Sequence, residues 1–244
     1  GSFPVHSPNP SEAKDFLKEE THESAAFGVA FDGDGDRAIF FDEEKNMILP
    51  DYIIALLMDN LADRGAKRFI CDLRASRVIA ELAEEKDLDL VFQRVGRSFY
   101  IEYMQQHGAD FGGELSGHLF FKEFRGFDNP DIALLYVLKI VGAYLQQEDE
   151  GRISSLLEPY HRYAKLEECN LRVHDAEAVF AALMKRYEDQ LTSQMDGLSF
   201  DCGNHWFNVR KSNTEPKIRV NLEAVSEDVA HQSLQALLRF IKSV

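Results

Sequence analysis

Residues 28–41 constrain the fold most, because three aspartates alternate with glycines there between two apolar runs. The runs at residues 27–31 and 37–41 have the length and composition of buried strands. Glycine accepts backbone conformations that other residues avoid, so the chain between the runs can turn sharply. We therefore predict a strand pair joined by a tight acidic loop, called the aspartate loop below (residues 32–37).

The aspartate loop has the residues of a cation site. Three neighbouring carboxylates repel one another unless a cation or several N–H donors neutralise them, and a few hard oxygen ligands suit Mg²⁺. There are two alternatives. In an EF-hand the aspartates would take positions 1, 3 and 5 and Glu43 position 12, but Arg37 occupies the position that needs glycine and the flanks are predicted strands. A solvated acidic turn is disfavoured by the apolar runs on both sides.

Composition limits the class of protein. The chain has 244 residues, of which 45% are hydrophobic and 28% charged, which fits one large or two ordinary globular domains. A net charge of −15 argues against nucleic-acid and anionic-membrane partners, and no apolar run approaches the roughly 18 residues of a membrane helix. Three widely spaced cysteines predict reduced thiols in a cytoplasmic protein.

Strands and helices alternate after the aspartate loop, which is typical of βαβ units. The predicted strands cover residues 68–73, 88–93 and 109–114. One predicted helix begins at Pro50, and three further predicted helices cover residues 75–85, 98–106 and 131–145. After the acidic stretch 146–151 the order changes to a long strand (164–173), a helix capped by Asp175, two strands (205–211 and 217–224) and a helix capped by Ser226.

This pattern predicts the fold class and the domains. We expect a mixed, largely parallel α/β domain over residues 24–150, followed by a small α+β domain with an antiparallel sheet over residues 151–244. Residues 1–23 begin with three prolines in residues 3–10 and are predicted to be a connector.

Two further loops carry candidate binding residues. The arginine loop, residues 210–216, offers a guanidinium, hydroxyls and turn amides, which suit a phosphate monoester, although the same residues also make ordinary hairpins. The Glu-Ser-His loop, residues 113–118, follows a strand end, where α/β sheets present ligands; a structural turn is the alternative. Arg74 and Arg97 also follow strand ends, where they would meet an anionic substrate or be solvated.

With these three loops in this order, the chain resembles the α-D-phosphohexomutases, specifically bacterial phosphomannomutase/phosphoglucomutase. The resemblance covers essentially the whole chain, and residues 3–10 are similar to the connector that leaves the family's second domain. Family members have four domains with a phosphoserine in the first, and no similar segment occurs here. The resemblance therefore implies a chain holding domains three and four, with the missing N-terminal domains as its partner.

The resemblance also implies an activity. The intact protein would interconvert hexose 1-phosphate and hexose 6-phosphate, of mannose or glucose, through a phosphoserine and a bisphosphate intermediate, and the chain alone would be inactive. Mg²⁺ is the implied cofactor and a hexose phosphate the implied substrate. The implied roles are metal binding by Asp32, Asp34 and Asp36, sugar binding by Glu114, Ser116 and His118, and phosphate binding by Arg210, Ser212, Asn213 and Thr214.

Some positions depart from the family's pattern. Arg97 stands where the family often has His, and arginine holds an anion but is a poor proton shuttle. Arg74 matches a substrate-contacting Lys, and Arg37 is a candidate for supporting the transfer. Leu115 stands where dual-specificity members commonly have Met, and it argues against a phosphoglucosamine mutase, which usually has Gln there. A non-catalytic metal- and phosphosugar-binding module is the alternative from another class.

Overall fold

The computed structural model describes residues 27–124, 133–146, 152–211 and 217–244. The predicted connector, the predicted domain boundary after residue 150 and residues 212–216 of the arginine loop lie outside these ranges. The chain divides into two compact units, of which the first ends at His161 and the second begins at Arg162. In the described part of the chain, no helix is both long and apolar enough to cross a membrane.

The first unit begins with the predicted strand pair. Strands β1 (Gly28–Phe31) and β2 (Ala38–Phe41) are antiparallel, and Val29 lies opposite Phe40. All four residues of β2 are buried. The aspartate loop therefore connects the two strands of a hairpin, and one of these strands, β2, lies in the core.

A four-stranded mixed sheet carries the rest of the first unit. Its strand order is β4-β3-β5-β6, with β3 parallel to β4 and β5 and with β6 antiparallel to β5. The strands are β3 (Arg68–Asp72), β4 (Asp89–Gln93), β5 (Phe111–Gly113) and β6 (Leu119–Phe121). The helices are α1 (Pro50–Asp63), α2 (Arg77–Glu85), α3 (Arg97–His107), α4 (Ala133–Tyr144) and α5 (Ile153–Leu157). The predicted α/β class is confirmed, and the carboxyl ends of β3, β4 and β5 share one edge.

The first unit extends past the acidic stretch because later residues hydrogen-bond back to it. Ser154 donates from its amide, 3.4 Å, and from its hydroxyl to the carboxylate of Glu43. The Tyr160 hydroxyl donates to Asp59 Oδ2 at 2.7 Å. Residues 153–160 therefore belong to the first unit.

The second unit has an antiparallel sheet, as predicted, in the order β7-β12-β11-β10-β9, with β8 also paired to β12. Its strands are β7 (Ala164–Lys165), β8 (Cys169–Arg172), β9 (Leu191–Ser193), β10 (Leu198–Asp201), β11 (His205–Lys211) and β12 (Lys217–Ala224). Its helices are α6 (Ala176–Arg186) and α7 (Glu227–Lys242). The predicted caps are confirmed: Asp175 accepts from the Ala178 amide and Ser226 from the Val229 amide.

The predicted continuous strand over residues 164–173 is wrong. Lys165 pairs with Glu223 and Cys169 with Val220, so three residues of one strand lie opposite two residues of β12. Such a β-bulge disrupts the ladder and re-aims the side chains around it. The strand is therefore divided into β7 and β8.

Candidate functional site

The aspartate loop brings three carboxylates together. One oxygen from each of Asp32, Asp34 and Asp36 lies within 4.8 Å of the others. Gly35 closes the loop with φ of +74°, a left-handed conformation that glycine adopts without strain. A donor set of hard carboxylate oxygens fits Mg²⁺ chemically.

Asp32 is the structural centre of the aspartate loop. Its side chain is buried, and its Oδ1 accepts from the amides of Gly35, Asp36 and Arg37 at 3.1 to 3.2 Å. Its Oδ2 accepts from Arg37 Nε. Burial would raise the pKa of the Asp32 carboxyl, but these hydrogen bonds and the charge of Arg37 lower it overall. Asp32 therefore stays ionised and fixes the turn.

The EF-hand alternative does not fit the structure. Glu43, which would supply the twelfth position of such a loop, accepts hydrogen bonds from Ser154 instead. Strands flank the aspartate loop on both sides, whereas an EF-hand needs helices.

The Glu-Ser-His loop is the turn between β5 and β6. Glu114 is 2% exposed, and its Oε1 accepts from the Gly96 amide at 2.7 Å. Ser116 Oγ lies 2.7 Å from both Glu114 Oε2 and His118 Nδ1. Burial would raise the pKa of the Glu114 carboxyl, but the bonds from His118, Ser116 and the Gly96 amide lower it overall. The turn therefore presents an ionised carboxylate with a hydroxyl beside it.

The aspartate loop and the Glu-Ser-His loop are neighbours. Arg37 and His118 form an isolated antiparallel bridge. His118 Nε2 lies 3.5 Å from Asp36 Oδ1, and Arg97, at the start of α3, places Nη1 3.5 Å from Asp36 Oδ2. The aspartate loop, the Glu-Ser-His loop and Arg97 thus form one cluster, although the sequence suggested each of them separately.

Asp72 is a site residue that the sequence reasoning missed. It ends β3, is fully buried, and accepts from the amide, Nε and Nη2 of Arg74 and from the Leu115 amide at 3.4 Å. Burial would raise the pKa of the Asp72 carboxyl, but Arg74 lowers it overall. Arg74 is 8% exposed, so the structure places it in a buried ion pair beside the Glu-Ser-His loop. The sequence signal that could have identified Asp72 is a charged residue at the end of a predicted buried strand.

The second unit holds the described part of the arginine loop. Arg210 lies near the end of β11, its side chain is 12% exposed, and its Nη2 lies 3.3 Å from Glu168 Oε2. Ser212, Asn213 and Thr214 lie outside the described residues.

Two family models match the chain. "Phosphoglucomutase/phosphomannomutase, alpha/beta/alpha domain III" matches residues 49–163, and "Phosphoglucomutase/phosphomannomutase, C-terminal domain" matches residues 168–239. A phosphomannomutase from Methanocaldococcus jannaschii is 33% identical over 245 residues, which cover 99% of this chain and 54% of that protein.

Solved structures show the same fold. A phosphoglucomutase/phosphomannomutase family protein from Burkholderia thailandensis has a TM-score of 0.82 at 25% identity, covering 98% of this chain and 52% of its own. N-acetylphosphoglucosamine mutase from Aspergillus fumigatus, solved with GlcNAc-6P and magnesium, has a TM-score of 0.60 at 16% identity, covering 94% and 52%. The latter is a likeness of fold alone.

The mixed α/β unit and the antiparallel α+β unit define a chain of the α-D-phosphohexomutase fold class. The sequence matches make the assignment narrower: the chain belongs to the phosphoglucomutase/phosphomannomutase family. It spans about half the length of the curated relatives it matches. The resemblance noted from the three loops is confirmed.

Proposed function

We propose that the chain supplies the metal- and sugar-binding part of a hexose phosphate mutase that interconverts the 1- and 6-phosphates of mannose or glucose. The observation that carries this proposal is the cluster in the first unit, where Asp36, one of three carboxylates suited to Mg²⁺, lies 3.5 Å from the histidine of the Glu-Ser-His loop. The names of its relatives, phosphomannomutase and phosphomannomutase/phosphoglucomutase, support the same activity.

Asp32, Asp34 and Asp36 would hold the Mg²⁺ ion. The oxygen ligands fit it, and the Aspergillus structure of the same fold was solved with magnesium. When bound, Mg²⁺ neutralises the charge that develops on a transferring phosphoryl group. Arg37, held by Asp32, adds a fixed positive charge at the same loop and supports the transfer.

The Glu-Ser-His loop would orient the sugar. The ionised Glu114 accepts hydrogen bonds from sugar hydroxyls, and Ser116 and His118 hold its carboxylate in position. Arginine is a poor proton shuttle, so the role proposed for Arg97 beside Asp36 is to attract and hold an anionic group and not to move a proton. Arg74 remains a proposed substrate contact whose orientation depends on Asp72.

The arginine loop would anchor the phosphate that does not react. Arg210 offers a planar guanidinium to phosphate oxygens, and Ser212, Asn213 and Thr214 are proposed to add hydroxyl, amide and backbone donors. The phosphoserine donor, the bisphosphate intermediate and the N-terminal domains are further parts of this proposal. We expect no turnover by the chain alone, because the proposed donor segment does not occur in its sequence.

Calorimetric titration with Mg²⁺ and Ca²⁺ tests the metal site. Asp34 is exposed, so Asp34→Asn removes one ligand charge without disturbing the bonds of Asp32. We expect weak Mg²⁺ binding by the parent chain and a loss of affinity of about tenfold or more in Asp34→Asn, since a lost ligand costs roughly 1.4 kcal/mol or more.

Glu44→Gln is the matched control, because Glu44 is exposed, acidic and just beyond the hairpin. It should bind Mg²⁺ as the parent does. Tight, calcium-selective binding, or equal affinities in the two variants, would contradict the proposed magnesium site.

A further inference from the structure

The bulge between β7 and β8 determines the face of the sheet on which the Glu168 side chain lies. On β12, Ile218, Val220 and Leu222 point into the hydrophobic core of the second unit. Ala164 and Leu166 also pack against that core, and strict alternation would place Glu168 there with them. The extra residue of the bulge reverses this parity, so Glu168 lies on the opposite, polar face.

On the polar face, two arginines are direct cross-strand partners. Arg210 of β11 lies opposite Arg219 of β12. Like charges directly opposite each other are destabilising in an antiparallel pair. Glu168 compensates for this, because its Oε1 lies 2.9 Å from Arg219 Nη1 and its Oε2 lies 3.3 Å from Arg210 Nη2. Asn221 Nδ2 donates to the same Oε2 at 3.1 Å, which fixes the carboxylate.

The polar face keeps a positive charge at the end of β11. Lys211, the next residue, packs over the Phe180 ring and pairs with Glu177, so it does not share the contacts of Arg210. Two guanidinium groups against one carboxylate leave an excess of one positive charge. The Nε of Arg210 is buried and has no hydrogen-bond partner among the described residues. Among the described residues, the guanidinium of Arg210 is therefore held from the side of Glu168.

We propose that Glu168 is a positioning residue that holds Arg210 beside Arg219 in the orientation that binds a phosphate dianion. The inference rests on the proposed role of Arg210 as phosphate anchor, and it adds Glu168 as the group that orients it. Held in this way, Arg210 loses little side-chain freedom when the anion arrives, because the carboxylate has already restricted it.

A double-mutant cycle with inorganic phosphate tests the proposal. Phosphate affinity is measured by chemical-shift titration of the full chain at fixed ionic strength for the parent, Glu168→Ala, Arg210→Ala and the double variant. Arg210→Ala should weaken binding about ten- to hundredfold in the parent, as expected for a charge-assisted bond. In the Glu168→Ala background, Arg210→Ala should weaken phosphate binding by less than about threefold, because Arg210 is no longer oriented.

Glu167→Ala is the matched control, since Glu167 is exposed and adjacent to Glu168. In the Glu167→Ala background, Arg210→Ala should weaken phosphate binding as much as it does in the parent. The Trp206 fluorescence of each variant reports whether the second unit is folded. If Glu168→Ala does not fold, Glu168→Gln replaces it, and Arg210→Ala should then cost less than in the parent. The unliganded proteins give a second readout, because slow rotation of the Arg210 guanidinium in the NMR spectrum should become fast without Glu168.

The outcomes separate the two proposals. Equal costs of Arg210→Ala with and without Glu168 would overturn the positioning role while leaving the phosphate anchor intact. A larger cost without Glu168 would also overturn it, since the carboxylate would then compete with the anion. Absence of phosphate binding by the parent would overturn both proposals.

Discussion

At the scale of single residues, the first unit depends on carboxylates that are buried but fully hydrogen-bonded. Asp72 accepts three bonds from Arg74 and one from the Leu115 amide. Glu114 accepts from the Gly96 amide and from Ser116. Because a buried charge is costly without partners, each carboxylate is tied to the segments whose donors it binds. The ends of β3, β4 and β5 are thereby held together.

Asp72→Asn should destabilise the first unit by roughly 3 kcal/mol or more, because it removes the charge of one partner from a buried ion pair. Urea unfolding followed by circular dichroism measures this. The single tryptophan, Trp206, belongs to the second unit and identifies the other transition. Asp87→Asn is the control, because Asp87 is exposed and has φ of +51°, a conformation that Asn also tolerates. The free energy of unfolding should hardly change in this variant.

The pH dependence of the same variant has a defined sign. Arg74 lowers the pKa of Asp72 below its ordinary value of about 3.9. The contribution of the pair is therefore complete above that value and is lost as the pH falls through the lower pKa of the folded state. The stability difference between parent and Asp72→Asn should be constant from about pH 7 to 5 and shrink below about pH 4. A difference that grows on acidification would contradict this assignment.

The predictability of these residues from sequence depended on the distance to their partners along the chain. The aspartates of the aspartate loop were recognised as a group because their three carboxylates fall within five residues of the sequence, and the structure brings them together. Glu168 was not recognised, since its partner Arg219 lies 51 residues away. Asp72 was not recognised either: Arg74 is only two residues from it, but its contact with the Glu-Ser-His loop, through the Leu115 amide, spans 43 residues. Only the fold shows that these groups meet.

At the scale of elements, the two loops of the first unit meet through Gly117. Its φ is +92°, and a Cβ there would lie 3.0 Å from the carbonyl oxygen of Ala38. The amide of Ala38 donates to the Gly117 oxygen at 3.3 Å. This close approach joins β2 to the Glu-Ser-His loop.

Gly117→Ala should destabilise the first unit by about 1 to 3 kcal/mol, because a residue with a Cβ is strained in this conformation and displaces β2. Gly142→Ala is the matched control: it lies within α4, a Cβ there meets nothing within 4 Å, and alanine should stabilise the helix by roughly 0.5 to 1 kcal/mol. Thermal unfolding of both variants measures the difference. Equal transition temperatures would show that the close approach is not required.

Elements with strong periodicity were predicted well, and short ones were not. Strands β11 and β12 and both helix caps follow the predicted positions. Strands β6, β9 and β10 were missed, because three or four residues are too few for an alternating pattern to be recognised. The division of residues 164–173 depends on register with β12, which the sequence of that strand does not contain.

At the scale of the whole molecule, composition and order predicted two units and an anionic chain. The net charge of −15 means that an anionic substrate must be met by local arginines. Arg97 lies at the cluster of the first unit, and Arg210 and Arg219 lie on the polar face of the second. The proposed function predicts that the arginines of each unit meet the phosphate of a hexose phosphate.

Chemical-shift titration of the chain with mannose 1-phosphate in the presence of Mg²⁺ tests this claim most directly. We predict saturable shifts at Ser116 and Gly117 in the first unit, and saturable shifts at Arg210 and its strand neighbours in the second unit. Arg210→Ala should raise the midpoint measured in the second unit about ten- to hundredfold, and Lys185→Ala, which removes an exposed charge on α6, should leave it unchanged. Shifts that never reach Arg210, or equal midpoints in the two variants, would contradict the account.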